Sequence, residues 1–215
     1  MRANIFLELL FPEKCAFCHR VIKSECGGIC EKCRSNLPYT HGNCKKKGDY
    51  FTLCVAPLYY EGDVRESLLR YKFGRCTAYA GVYAPMVSAC IEREFGQDFD
   101  LLSWVPVSRR RLRRRGYDQA QLLADEIGRQ FAKKPVPLLK KRHVPAQSGM
   151  GSMEKRRANI SGAYRVIDPE LIAEKRILII DDIVTTGSTL SECAKTLMRA
   201  GANKVMCAAV ARDRD

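Results

Sequence analysis

No stretch of this 215-residue sequence comes near the roughly 20 consecutive apolar residues that a membrane-spanning helix needs. The apolar start, MRANIFLELLFPEKC, is too short for a signal peptide and is interrupted by Glu8, so a cytoplasmic protein is expected. No internal period of solenoid length is visible, which excludes a repeat array. Neither GxxxxGKS/T nor GxGxxG occurs, so a Walker loop and a dinucleotide-binding turn are excluded too. Acidic residues are the scarcer charge: 24 Asp and Glu stand against 37 Lys and Arg, for a net charge of +13. That balance favours polyanionic partners such as nucleic acid, nucleotides or an acidic membrane surface.

What is present is led by Arg176 to Thr189, RILIIDDIVTTGST. Ile177, Leu178, Ile179 and Ile180 form a continuous, mostly β-branched run suited to a strand buried on both faces of a parallel sheet. Asp181 and Asp182 follow, then the small, turn-prone Thr185, Thr186, Gly187, Ser188 and Thr189. A helix is predicted next, with Leu190, Ala194, Leu197 and Met198 on one face and Gly201 at its end. N–H groups at a helix start attract anions. Gly187 lets the backbone come close, the hydroxyls can donate to phosphate oxygens, and the adjacent carboxylates can accept from a vicinal diol. A phosphate and a diol so close together describe a ribose 5-phosphate. An ordinary buried strand and capped helix would not need two acids followed by five small residues.

The chain has eleven cysteines. In a reducing compartment they read as metal ligands or buried apolar side chains rather than disulfides. Cys15, Cys18, Cys26, Cys30, Cys33, Cys44 and Cys54 crowd the first quarter, marking a module predicted over residues 1–48, ahead of a main domain over 49–215. Cys15-x2-Cys18 and Cys30-x2-Cys33 are paired knuckles. Facing each other, they give the four-sulfur tetrahedron preferred by structural Zn2+. Such a closed site leaves no position for water, so its role is structural, replacing a core that so short a module can hardly build. Cys26, in a loop made mobile by Gly27 and Gly28, is either a competitor for the metal or a spectator, and the lone Cys44 is read as a spectator.

The main domain reads as alternating strands and helices, hence an α/β fold with a mostly parallel sheet. Phe51 to Tyr60 is a predicted strand, made an edge or broken one by Pro57. Asp63 is the expected cap of a helix burying Val64, Leu68 and Tyr71, and a further helix runs from about Ala80 to Phe95, with Pro85 as a kink. Leu101 to Val107 is a strand leading into RRRLRRR, read as a cationic loop at a strand's C-terminal end that meets pyrophosphate or nucleic-acid phosphates. The next helix buries Ala120, Leu123, Ala124, Ile127 and Phe131. Val136 to Lys141, Ala163 to Ile167 and Lys204 to Val210 are further strands, and Arg142 to Gly162 is a long polar binding loop. Lys72, Arg113, Arg114 and Arg115, with Gln147, Arg156, Arg157 and Asn159 of that loop, are the expected contacts to single-stranded DNA. Tyr71 and Phe73 are either stacking platforms for bases or core residues.

The order of motifs now becomes specific: paired CxxC knuckles, YKF, WVPVSRRRLRRRGYDQA, QSGMGSMEKRRANISGAY and RILIIDDIVTTGSTL. The last resembles the signature of type I phosphoribosyltransferases, which bind phosphoribosyl pyrophosphate (PRPP). The whole resembles the ComF family of competence proteins. That resemblance implies a type I phosphoribosyltransferase-like domain behind a zinc-binding module, and a role in natural transformation through incoming single-stranded DNA. It implies that Asp181 and Asp182 form the catalytic pair, that Thr185, Thr186, Gly187, Ser188 and Thr189 form the PRPP loop, and that Val107, Ser108 and Arg109 lie in the pyrophosphate loop. Gln147 to Asn159 would be the flexible loop. A DNA-uptake helicase or another competence protein is the implied protein partner. The alternative is an active phosphoribosyltransferase in nucleotide metabolism or salvage, with Mg2+ bridging the ribose hydroxyls and pyrophosphate while Arg109 and its neighbours stabilise the leaving group. The sequence departs from the family in having only Cys44 where a further cysteine pair is common, and Asp118 where Asn is usual. No base-selecting hood is expected after the last strand, since ARDRD follows it directly.

Overall fold

The structure, a computed structural model, describes residues 12–142 and 162–214. Among these the strands are β1 (Lys45–Lys46), β2 (Cys54–Val55), β3 (Leu58–Tyr59), β4 (Leu101–Trp104), β5 (Leu139–Lys141), β6 (Tyr164–Val166), β7 (Arg176–Val184) and β8 (Lys204–Arg212). The helices are α1 (Glu31–Asn36), α2 (Gly62–Phe73), α3 (Tyr79–Phe95), α4 (Arg109–Arg115), α5 (Gln119–Gln130) and α6 (Ser188–Arg199). No helix among the described residues is long and apolar enough to cross a membrane.

The main sheet runs β1-β2-β8-β7-β4, with β3 also paired to β8. β4, β7 and β8 are mutually parallel, with Leu101 opposite Ile177 and Ile177 opposite Val205. The apolar run of β7 divides by parity, as strand geometry demands. Leu178 and Ile180 join one core with α2, α3 and α5, whereas Ile177 and Ile179 join another beneath α6. All four are fully buried. Burial on both faces removes the alternation of a half-exposed strand and explains the unbroken apolar stretch.

Several boundaries differ from the sequence expectation. Pro57 has no N–H to give the ladder, so Phe51 to Tyr60 yields two short strands on β8, and β1 covers the outer edge of β2. α2 begins at Gly62 with Glu61 as N-cap, so Asp63 sits inside the first turn and does not cap. The carboxylate of Glu61 is engaged by Arg214 instead, at 2.6 and 2.8 Å. On α6, Cys193 takes the buried place expected of Met198, which is exposed. The strand from Leu101 ends at Trp104, ahead of Pro106.

The cysteine-rich stretch shares a core with the main domain. Cys15, Ala16 and Phe17 are buried in the cluster that holds Tyr71 and Tyr83. Ser67 on α2 donates to the Ala16 carbonyl at 2.6 Å, and Arg70 Nη2 donates to the same oxygen at 3.1 Å and to that of Phe17.

Candidate functional site

β4 ends at Trp104 opposite Ile180, while β7 runs on through Asp181 and Asp182 to Val184, and a cavity of about 320 Å³ lies against this extension. Its floor is the acidic pair at the end of β7. Asp182 is buried; Asp181 keeps some solvent contact and accepts the N–H of Asp182 at 2.8 Å. Burial first, then the neighbouring charge of Asp182, push Asp181 well above the usual carboxylate range. Lys72, in the last turn of α2, reaches the pair, with Nζ 3.1 Å from Asp182 Oδ2.

The loop after the pair divides its hydroxyls. Thr185 and Thr189 line the cavity. Thr186 Oγ1 and Ser188 Oγ lie 2.8 Å apart, and Ser188 N donates to Thr186 Oγ1 at 3.4 Å, so these two shape the turn. Gly187 is the N-cap of α6 with φ +76°, a left-handed conformation costly to a residue with a Cβ.

The arginine block is a helix, which corrects the loop expected there. Ser108 caps it by accepting the N–H of Arg111 at 3.4 Å, and Gly116 closes it in the left-handed region. Helical spacing brings Arg111 and Arg115 to one side, and both line the cavity. Arg109, Arg113 and Arg114 are exposed on α4, and Ser108 is spent as a cap. Of the expected pyrophosphate loop, Val107 lines the cavity. Arg115 donates to Gln119 Oε1 at 2.8 Å and stacks on Phe73, its guanidinium carbon 4.7 Å from the ring centroid. Burial lowers the Arg115 pKa.

Other groups join that were not read from the sequence. Lys141 on β5 and Tyr164 on β6 line the cavity, the amine donating to the phenol oxygen at 3.0 Å. Burial, and then the charge of Arg111, lower the Lys141 pKa, while burial raises that of Tyr164. Tyr60 completes one side. The β5–β6 pairing that brings in Lys141 and Tyr164 joins positions 23 residues apart, which hid them. Tyr71 is core: fully buried, it donates to the Gln119 carbonyl at 2.7 Å. Phe73 is 56% exposed. Gln147, Arg156, Arg157 and Asn159 lie outside the described residues.

The knuckles form a second centre. The sulfurs of Cys15, Cys18, Cys30 and Cys33 all lie within 4.8 Å of one another. Cys30 N donates to Cys15 Sγ at 3.4 Å, and Cys33 N to Cys30 Sγ at 3.4 Å. Burial raises Cys15, but the backbone N–H groups of Cys30, Cys18 and Phe17 outweigh it and lower the thiol to about 7. Four convergent sulfurs, with N–H groups aimed at them, fit a tetrahedral structural Zn2+. Cys26 and Cys44 stand outside this cluster; Cys44 is buried and accepts from Arg93 Nη2 at 3.0 Å.

Comparison with known proteins agrees with this layout. A family model described as a phosphoribosyl transferase domain matches residues 113–215, and one described as a double zinc ribbon domain matches residues 6–63. "Competence protein F" of Haemophilus influenzae is 29% identical over 209 residues, covering 92% of this chain and 90% of its own. "DNA utilization protein YhgH" of Escherichia coli K12 is 28% identical over 204 residues, covering 89% and 86%. "Competence protein ComFC" of Streptococcus pneumoniae is 29% identical over 146 residues, covering 68% and 62%. The main domain has the type I phosphoribosyltransferase fold, and a zinc ribbon with a four-cysteine cluster precedes it.

Proposed function

We propose that this chain, a member of the ComF family of competence proteins, handles incoming single-stranded DNA in the cytoplasm while holding a phosphoribosyl ligand, PRPP or ribose 5-phosphate. The observation that carries the reading is the meeting of Asp181, Asp182, Thr185 and Thr189 with Lys72, Arg111, Arg115 and Lys141 around one cavity. Cations and hydroxyl donors suit phosphate oxygens, and a carboxylate pair beside them suits a sugar diol. Thr185, Thr189 and the start of α6 receive the 5-phosphate; Asp181 and Asp182 receive the ribose hydroxyls. Arg111 and Arg115 face a pyrophosphate, while the outward Arg109, Arg113 and Arg114 track strand phosphates, with the exposed Phe73 as a stacking ring. Cys15, Cys18, Cys30 and Cys33 hold Zn2+ as a structural crosslink. A DNA-uptake helicase or another competence protein is the partner class.

Calorimetry with ribose 5-phosphate and 2-deoxyribose 5-phosphate tests the diol assignment. The ribose is expected to bind more tightly, and equal affinity, or no binding of either, would defeat it. A second reading, catalysis, is favoured by the cations lying in the same cavity as the acids. In that case Mg2+ bound with PRPP supplies charge neutralisation, and Arg111 and Arg115 steady the departing pyrophosphate. Pyrophosphate release from PRPP across a panel of acceptor bases distinguishes the two readings.

A further inference from the structure

Lys72 differs from the other basic residues of the cavity in what it touches. Arg115 is engaged by Gln119 and Phe73, and Lys141 by Tyr164. Lys72 alone, among the described residues, makes an ion pair with the acidic pair, at 3.1 Å, with side chains 20% and 5% exposed. Its neighbours on α2 point elsewhere: Tyr71 into the core and Phe73 toward solvent. The helix thus delivers one cation to the end of β7.

Adjacent carboxylates, one of them buried, repel each other when both are charged, and a neighbouring cation relieves that repulsion. The charged and titratable groups facing them come from each surrounding element: Asp118 before α5, Arg111 and Arg115 on α4, Lys141 on β5, Tyr164 on β6, Lys72 and Tyr71 on α2, Cys193 on α6, Cys54 on β2 and Cys207 on β8. Burial and Asp182 raise Asp181, and Asp118 adds to this, whereas the Lys72 ammonium pulls it down. A protonated carboxyl loses acceptor capacity, so the diol is held best by the ionised pair.

We propose that Lys72 is a positioning residue of this site, its ammonium 3.1 Å from Asp182 Oδ2 fixing that carboxylate so that the pair accepts both hydroxyls of a ribose. The proposal rests on the phosphoribosyl reading above and adds a residue that acts through Asp182 rather than on the phosphate. It separates Lys72 from the nucleic-acid contacts with which its charge first grouped it.

The test is calorimetry on the full chain with ribose 5-phosphate and, separately, inorganic pyrophosphate, using wild type, Lys72→Met, Lys72→Arg, Asp182→Asn and the Lys72→Met/Asp182→Asn double variant. Lys72→Met should weaken ribose 5-phosphate about tenfold near neutral pH, the loss shrinking as pH rises and Asp181, which the Lys72 charge pulls down, ionises unaided. Lys72→Arg should restore most of the affinity. In the Asp182→Asn background, Lys72→Met should add little, because its partner charge is gone. Pyrophosphate should lose distinctly less affinity than ribose 5-phosphate, because it makes no use of the pair's acceptors. A pH-independent loss, failure of arginine to rescue, an additive double variant, or an equal loss for pyrophosphate each overturns the proposal. Failure of wild type to bind ribose 5-phosphate overturns the underlying reading, a result that needs no variant to recognise.

Discussion

Asp118 Oδ2 accepts the N–H of Val107 at 2.9 Å, while its Oδ1 accepts those of Ala120 and Gln121 at 3.1 and 3.4 Å. One buried carboxylate thereby ties the chain leaving β4 to the first turn of α5 and closes the excursion that carries the arginine helix. An acid suits the position because every neighbour donates. In Asn the amide nitrogen cannot accept, so one side of this arrangement is lost. Asp118→Asn is expected to cost about 1–2 kcal/mol and Asp118→Ala about 2–4 kcal/mol. Urea denaturation measures both, and an Asn variant as stable as wild type would contradict the account.

The two sides of α4 should separate in binding. Arg113→Ala with Arg114→Ala should weaken single-stranded DNA and reduce the log–log salt slope by about 1.4 if each arginine neutralises one phosphate. Ribose 5-phosphate affinity should hardly move. Arg111→Ala with Arg115→Ala should show the stronger effect on the pyrophosphate of PRPP. Fluorescence anisotropy over a salt series, paired with calorimetry, gives both readouts, and identical behaviour of the two double variants would remove the distinction.

Purified protein should contain about one equivalent of zinc per chain, following the stoichiometry of four-thiolate structural sites. Cys15→Ser with Cys30→Ser should abolish it, whereas Cys26→Ser and Cys44→Ser should retain it. Elemental analysis decides the matter; a second equivalent, or zinc retained by the Cys15 and Cys30 double variant, would show that other groups bind the metal.

Acid should weaken the bottom of the sheet. Arg176 grips Asp100 with side-chain contacts of 2.8 and 3.1 Å, and its backbone N–H adds a third at 2.8 Å. The side-chain hydrogen bond of Arg176 is the main cause of a carboxyl held well below its usual range. A folded-state pKa lowered in this way contributes stability above the unfolded value, about 3.9, which is lost as pH falls toward the folded value. The pair is exposed, so the effect is modest. Arg176→Gln should therefore reduce the difference in denaturation midpoint between about pH 7 and pH 3. An unchanged difference would exclude this contribution.

How much of this was legible follows from how local each signal is. The β7 run, the buried side of α5 and the CxxC pairs were readable because strand alternation, helix period and ligand spacing act within a few residues. The arginine helix was missed because charge drew attention to a strand end, although Ser108 and Gly116 bracketed a segment of good helix-forming residues. Lys141 and Tyr164 were out of reach because 23 positions separate them, and only the β5–β6 pairing brings them together. Lys72 looked like one more surface cation because the fold that sets it beside Asp182 connects positions more than a hundred residues apart.

The short run of α2 from Ser67 to Lys72 links the two centres. Ser67 and Arg70 hold the carbonyls inside the first cysteine knuckle, and Lys72, under one turn beyond Arg70, meets the acidic pair. On the proposed reading, a sugar titration is therefore expected to respond to metal content as well. Protein prepared with chelator present should show fewer competent sites at undiminished concentration, and preparations that disagree in affinity should be compared by zinc content before any difference is assigned to the ligand.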